Sequence, residues 1–151
     1  MPANPTVKNT DYNPNDSNLV SEIREMFDRY GPTFVELTDG SRSDLDALLN
    51  FYSAPLRFIG PTFHMVMKDN DDITGPDGVG GEVDRLRKAH LSGSTLDKFE
   101  VRVLNSRAAL ADTIWMRRDA DGKLISRYGV TYLVALTEEG WRITSAVNTS
   151  E

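Results

Sequence analysis

The chain has no cysteine. That absence excludes disulfides, thiolate zinc sites and cysteine nucleophiles together. Histidine is nearly as scarce, with only His64 and His90. Their spacing puts no two ligands on one helical face, so no metal site is expected. No run of lysine or arginine interrupts a chain of formal net charge -6. Nucleic acid and anionic membrane both require basic patches, so neither is expected as a partner. No window approaches the roughly 18 apolar residues of a membrane span. The opening MPANPTVKNTDYNPNDS lacks the cationic and apolar regions of a signal peptide. A cytoplasmic location is therefore expected, and the Asn15-Asp16-Ser17 and Asn148-Thr149-Ser150 triplets read as chance matches to the glycosylation pattern.

What is present fits one ordinary domain. The 151 residues are 39% hydrophobic and 26% charged, values typical of a globular chain with a sizeable core. Residues 1–17 are rich in Asn, Pro and Asp and read as an extended or disordered arm, leaving 18–151 as the domain. Leu19, Ile23, Met26, Phe27, Tyr30, Phe34 and Leu37 recur at steps of 3 and 4, the stripe of one long helix. Pro32 should kink that helix, but the stripe keeps its phase. Ser43, with Asp46 three residues on, reads as the capping box of a second helix whose core face is Leu45, Leu48, Leu49 and Tyr52. Pro55 ends it, and Leu56–Ile59 and Thr62–Met67 follow as short strands.

The polar, glycine-rich Asp69–Glu82 reads as a loop, with a lid over a cavity as its role. Glu82–Leu91 is a third helix with Val83, Leu86 and His90 on one face and Gly93 as its C-cap. Four alternating, β-rich runs close the chain: Leu96–Ser106, Ala108–Arg118, Leu124–Leu136 and Trp141–Thr149. Turns at Asp119–Gly122 and Glu138–Gly140 join the later ones. Helices gathered early and a meander late imply an α+β fold, with helices on one face of an antiparallel sheet.

The long first helix, the DLDALLNFYSAP segment leading into a strand, GGEVDRLRKAH, and the terminal YLVALTEEGWRITSAVNTS together resemble the NTF2-like (SnoaL-like, ketosteroid-isomerase-like) superfamily over roughly residues 18–149. The resemblance implies a cone-shaped fold, a curved antiparallel sheet wrapped around three helices with an apolar cavity at its wide end. It also implies either a small apolar-ligand pocket protein, with cofactor-free isomerase, cyclase or dehydratase chemistry, or a non-catalytic module. A homodimer through the outer sheet face is implied too, with Leu104, Ile114, Met116 and Leu133 as its patch. At the position of the ketosteroid isomerases' general-base Asp, this chain has Phe58-Ile59-Gly60-Pro61. At the position of their oxyanion-stabilising Asp it has Tyr132. The Asp–Arg–Asp set of the epoxide hydrolases is approached only by Asp112 with Arg127 or Arg117.

Candidate catalytic residues are accordingly Asp112, His64 and Tyr132. Asp112 interrupts an apolar strand, and burial in a cavity would raise its pKa. Strand parity opposes this, because an inward Trp115 carries Thr113 and Ala111 inward and Asp112 outward. His64 stands beside Phe63 at the expected mouth. The expected pocket lining is Phe27, Tyr30, Phe34, Tyr52, Phe58, Phe63, Met65, Met67, Trp115 and Tyr128, with Tyr30, His64 and Tyr132 as polar tips. Asp69, Asp71 and Asp72 open like a calcium loop, but Ile73 and Gly80 fall where ligands are required. Gly78-Val79-Gly80-Gly81-Glu82-Val83 lacks the last glycine of a dinucleotide fingerprint. No cofactor is expected.

Overall fold

In the computed structural model, which describes residues 17–149, the chain opens with helix α1 (Ser17–Asp39) and a 3₁₀ turn over Leu45–Asn50. Strands β1 (Tyr52–Ile59) and β2 (His64–Met67) follow, then helices α2 (Asn70–Thr74) and α3 (Val79–Lys88). Strands β3 (Leu91–Asn105), β4 (Ala108–Asp119), β5 (Leu124–Thr137) and β6 (Gly140–Asn148) complete it. The arm expected over residues 1–17 lies outside the described residues apart from Ser17, as do Asn15 and Ser150.

α1 forms where the apolar spacing predicts it. Ile23, Met26, Phe27, Tyr30, Phe34 and Leu37 are all buried. Each contributes about 1.5–3 kcal/mol by leaving water. Pro32 sits on the exposed side within a continuous helix. Gly40, at φ +85°, ends it.

The Ser43/Asp46 capping box does not form. The following segment is a 3₁₀ turn preceded by Asp44, which makes no side-chain cap. Arg42 holds the Asp44 carboxylate at 2.8 and 3.2 Å instead. Burial of Ala47 and Leu48 fixes this short turn, and Tyr52 opens β1 rather than closing a helix.

Asp69–Glu82 is not a loop. Asp69 caps α2, its Oδ1 accepting from the Asp72 N–H at 2.9 Å, and Asp72 Oδ2 accepts from the Lys68 N–H at 2.9 Å. The glycines permit close backbone packing. A Cβ at Gly80 would lie 2.1 Å from the Thr74 carbonyl oxygen, and one at Gly81 2.0 Å from that of Pro76. α3 therefore starts at Val79, and the segment is a packed wall in place of the expected lid. α3 ends at Lys88. His90 lies beyond it, exposed and at φ +61°, not on its apolar face, and Gly93 belongs to β3.

The six strands form one curved sheet in the order β2-β1-β6-β5-β4-β3. Neighbours are antiparallel except β1 and β6, which run parallel. Register shifts interrupt four of the five pairings, three of them between β3 and β4, and such bulges add bend and twist. The inner face carries Ala109, Ala111, Thr113, Trp115, Val130, Tyr132, Val134 and Ile143, all buried. α1 and α3 cover it, which makes this an α+β fold of three helices and a curved sheet. Among the described residues no helix is long and apolar enough to cross a membrane.

Candidate functional site

The helices do not fill the whole concavity. Between α1, the N-terminal end of α3, the β1–β2 hairpin and the inner rows of β4, β5 and β6 lies a cavity of about 420 Å³. α1 presents Tyr30 and Phe34 to it, β1 Tyr52 and Phe58, and β2 Met65. The sheet supplies Arg117, Tyr128, Val130 and Tyr132. The Pro76–Glu82 segment forms the opposite wall, and exposed Phe63 stands at the rim.

Two polar clusters interrupt this apolar lining. The first consists of tyrosine hydroxyls. Tyr30 and Tyr52 share a hydrogen bond between their hydroxyls, and Trp115 Nε1 donates to Tyr132 Oη at 3.0 Å. In the pair, one hydroxyl donates and the other keeps its proton. Tyr132 acts as an acceptor, so its own proton is also left over. Neither leftover proton has an acceptor among the described residues. The three hydroxyls lie close enough to act on one another electrostatically. Burial pushes Tyr30 up to about 12, an effect the Tyr52 hydrogen bond and the Arg117 charge only partly offset. Burial likewise pushes Tyr52 and Tyr132 well above the ordinary tyrosine range. All three remain neutral donors at ordinary pH.

The second cluster is charged. Arg85 grips Glu82 with Nη2 at 2.6 Å from Oε1 and Nε at 2.9 Å from Oε2. Arg117 Nη1 reaches the same Oε1 at 3.4 Å. The Arg117 guanidinium carbon lies 4.5 Å from the centre of the Tyr128 ring and 5.7 Å from that of Phe34. Tyr30 feels both Arg117 and Glu82, so the two clusters share one electrostatic neighbourhood.

The structure brings together only some of the residues singled out from sequence. Tyr30, Phe34, Tyr52, Phe58, Phe63, Met65, Tyr128 and Tyr132 line the cavity. Phe27, Met67 and Trp115 do not, because they are buried in the core behind it. Asp112 is on the outer face of β4, paired across the strands with Glu100 and Thr131. Lys98 Nζ at 2.8 Å and Thr131 Oγ1 at 3.0 Å hold its carboxylate, and Lys98 above all lowers its pKa. His64 is exposed on the outward side of the edge strand, its Nε2 accepting from Arg57 Nη1 at 2.9 Å. The proposed catalytic trio is therefore dispersed, with only Tyr132 at the cavity.

Glu82 and Arg85 were not singled out from the sequence, and Arg117 only as a partner for Asp112. The signal for Arg117 was available, since the parity that turns Asp112 outward turns Arg117 inward with Trp115. No comparable signal existed for Glu82, because the glycines beside it read as loop.

Residues 21–151 match the model of a family described as NTF2-like protein (DUF6841). No curated protein matches the chain. Among solved structures, an NTF2-like superfamily protein from Salmonella enterica serovar Typhimurium is 21% identical, with a TM-score of 0.62 over 89% of this chain and 92% of its own. An NTF2-like protein with a cystatin-like fold from Novosphingobium aromaticivorans is 20% identical, with a TM-score of 0.61 over 85% and 79%. An NTF2-like protein of unknown function from Pseudomonas putida is 11% identical, with a TM-score of 0.62 over 90% and 89%. At these identities the likeness is one of fold.

Proposed function

The chain belongs to the NTF2-like DUF6841 family, and from that premise we propose that it is a small-molecule pocket protein. Its cavity takes a mostly apolar ligand and holds it by a carbonyl or hydroxyl oxygen. The observation that carries this reading is the pair of leftover tyrosine protons, one on Tyr132 and one on the Tyr30–Tyr52 pair, in a cavity whose lining is mainly apolar. A buried O–H without an acceptor costs about 1–3 kcal/mol. A ligand oxygen that accepts from these hydroxyls relieves that cost and is itself polarised.

Isomerase, cyclase or dehydratase chemistry also needs a free proton acceptor. The lining carboxylates are Asp77, which is exposed, and Glu82, both of whose oxygens are engaged by arginine. Binding with carbonyl polarisation is therefore the reading supported here, ahead of proton abstraction.

The test is calorimetric titration with 2-acetylnaphthalene and 2-ethylnaphthalene, a ketone and a hydrocarbon of similar shape. The ketone should bind more tightly, and Tyr132→Phe should narrow the gap by about 1 kcal/mol, roughly 5-fold in affinity. Failure of both molecules to bind, or a ketone preference untouched by both Tyr132→Phe and Tyr52→Phe, would overturn the reading.

A further inference from the structure

Arg117 carries a charge that the tyrosines do not explain. It points inward from β4 and is 8% exposed. A guanidinium offers five N–H donors. Among the described residues its only side-chain acceptor is Glu82, at the long distance of 3.4 Å, and its Nε is buried with no partner. Glu82 is committed more tightly to Arg85, so two guanidinia share one carboxylate. Exposed Asp77, the other carboxylate in the cavity wall, forms no ion pair with either among the described residues. The Glu82–Arg85–Arg117 cluster is thus short of one negative charge, with a buried cation in it, an arrangement that is costly when left uncompensated.

The geometry around Arg117 suits a planar anion. The rings of Tyr128 and Phe34 take the guanidinium by cation–π contact, which consumes none of its N–H donors and so leaves them for an acceptor. A carboxylate matches a guanidinium bidentately. Its single negative charge also matches the deficit.

We propose that the cavity is built for an organic acid, an aromatic or alicyclic carboxylate carrying a second oxygen function, with its carboxylate docked on Arg117. The second oxygen meets the tyrosine hydroxyls. Glu82 is the internal carboxylate that shares Arg117 in the empty site and competes with the ligand for it. This rests on the pocket reading above.

Titrations with 2-naphthoate, its neutral isostere 2-naphthamide and 2-acetylnaphthalene test the proposal on the full chain. Naphthoate should bind roughly 10-fold or more tighter than naphthamide, the range expected of hydrogen bonds to a charged partner. Arg117→Met should bring that ratio close to one. Glu82→Gln should raise naphthoate affinity several-fold, whereas a purely structural Glu82 would leave it unchanged or lower it. If Arg117→Met does not fold, as judged by circular dichroism, the wild-type ratio and the Glu82→Gln arm decide the matter. Binding of 2-acetylnaphthalene with a wild-type naphthoate-to-naphthamide ratio near one overturns the anion site and leaves the pocket standing. Absence of binding by all three molecules overturns both.

Discussion

Tyr30, Tyr52 and Tyr132 are donors only while they are neutral, and burial keeps them so. The same burial ties them to stability. In the unfolded chain a tyrosine ionises near its model value of 10.0, whereas Tyr30 in the fold does so at about 12. A pKa raised by folding contributes stability that is complete below the unfolded value and is lost as pH climbs through the folded one. Tm should therefore be insensitive to these groups below pH 10 and should fall between 10 and about 12. Their phenolate absorbance should appear together with loss of the circular dichroism signal. Full ionisation of every tyrosine in a chain that stays folded would contradict the burial argument.

Asp112 illustrates the opposite environment. Its pKa is lowered, chiefly by Lys98, so its contribution is complete above the unfolded carboxylate value and is lost as pH falls below that value and through the lowered one of the fold. The pair is substantially exposed, and such pairs are worth about 0–1 kcal/mol. Asp112→Asn should cost no more than that by chemical denaturation and should leave ligand affinity in the cavity unchanged. A clear loss of binding would mean that Asp112 reaches the cavity after all. Period-two alternation made its outward direction legible from Trp115. The same rule pointed Arg117 inward, yet an unpaired buried arginine is improbable on composition. Its partner Glu82 lies 35 residues away, beyond what local spacing can reveal.

At the level of elements, the sequence was most legible where periodicity was long. The α1 stripe follows from its steps of 3 and 4 and the four late strands from alternation, with end points within one or two residues except at β3, which begins at Leu91 and not at Leu96. Legibility failed at Asp69–Glu82, whose glycines read as marks of flexibility but serve close packing of α3 against the turn after α2. That difference can be measured. Gly80→Ala should destabilise the chain by about 1–3 kcal/mol, since a Cβ there meets backbone rather than a movable side chain. A flexible lid would tolerate or even welcome the alanine. His90, exposed at φ +61° just past α3, shows the converse case. A non-glycine residue in the left-handed region is strained, so His90→Gly should stabilise by roughly 0.5–1 kcal/mol in urea melts.

For the molecule as a whole, the remaining question is what lies against the outer face of the sheet. That face is neither wholly apolar nor wholly polar. Lys98, Asp112 and Thr131 form a bonded cluster on it, and Arg127 pairs with Asp97 at 2.9 Å. Ile114, expected in a dimer patch, is only 7% exposed in the lone chain and has little left to contribute. Leu104, Met116 and Leu133 remain half-buried, Leu110 lies directly across from Leu133, and Val147 on β6 is 39% exposed. A homodimer through this face would be isologous, setting the Leu110–Leu133 row against its own copy with the ion pairs at its margin. It would need to cover about 800 Å² per partner to be stable. Light scattering at micromolar concentration should then give twice the 16.9 kDa chain mass, and Tm should rise with protein concentration. Leu133→Lys should return the monomer mass by placing an ammonium group at the centre of the contact. Tyr132 and Val134 flank Leu133 and point to the other side of the sheet, so that variant should keep its affinity for cavity ligands. A wild-type monomer at tens of micromolar would remove the dimer without touching the pocket. Loss of ligand affinity together with the dimer would show that the two faces of the sheet are coupled, which their opposite orientation does not predict.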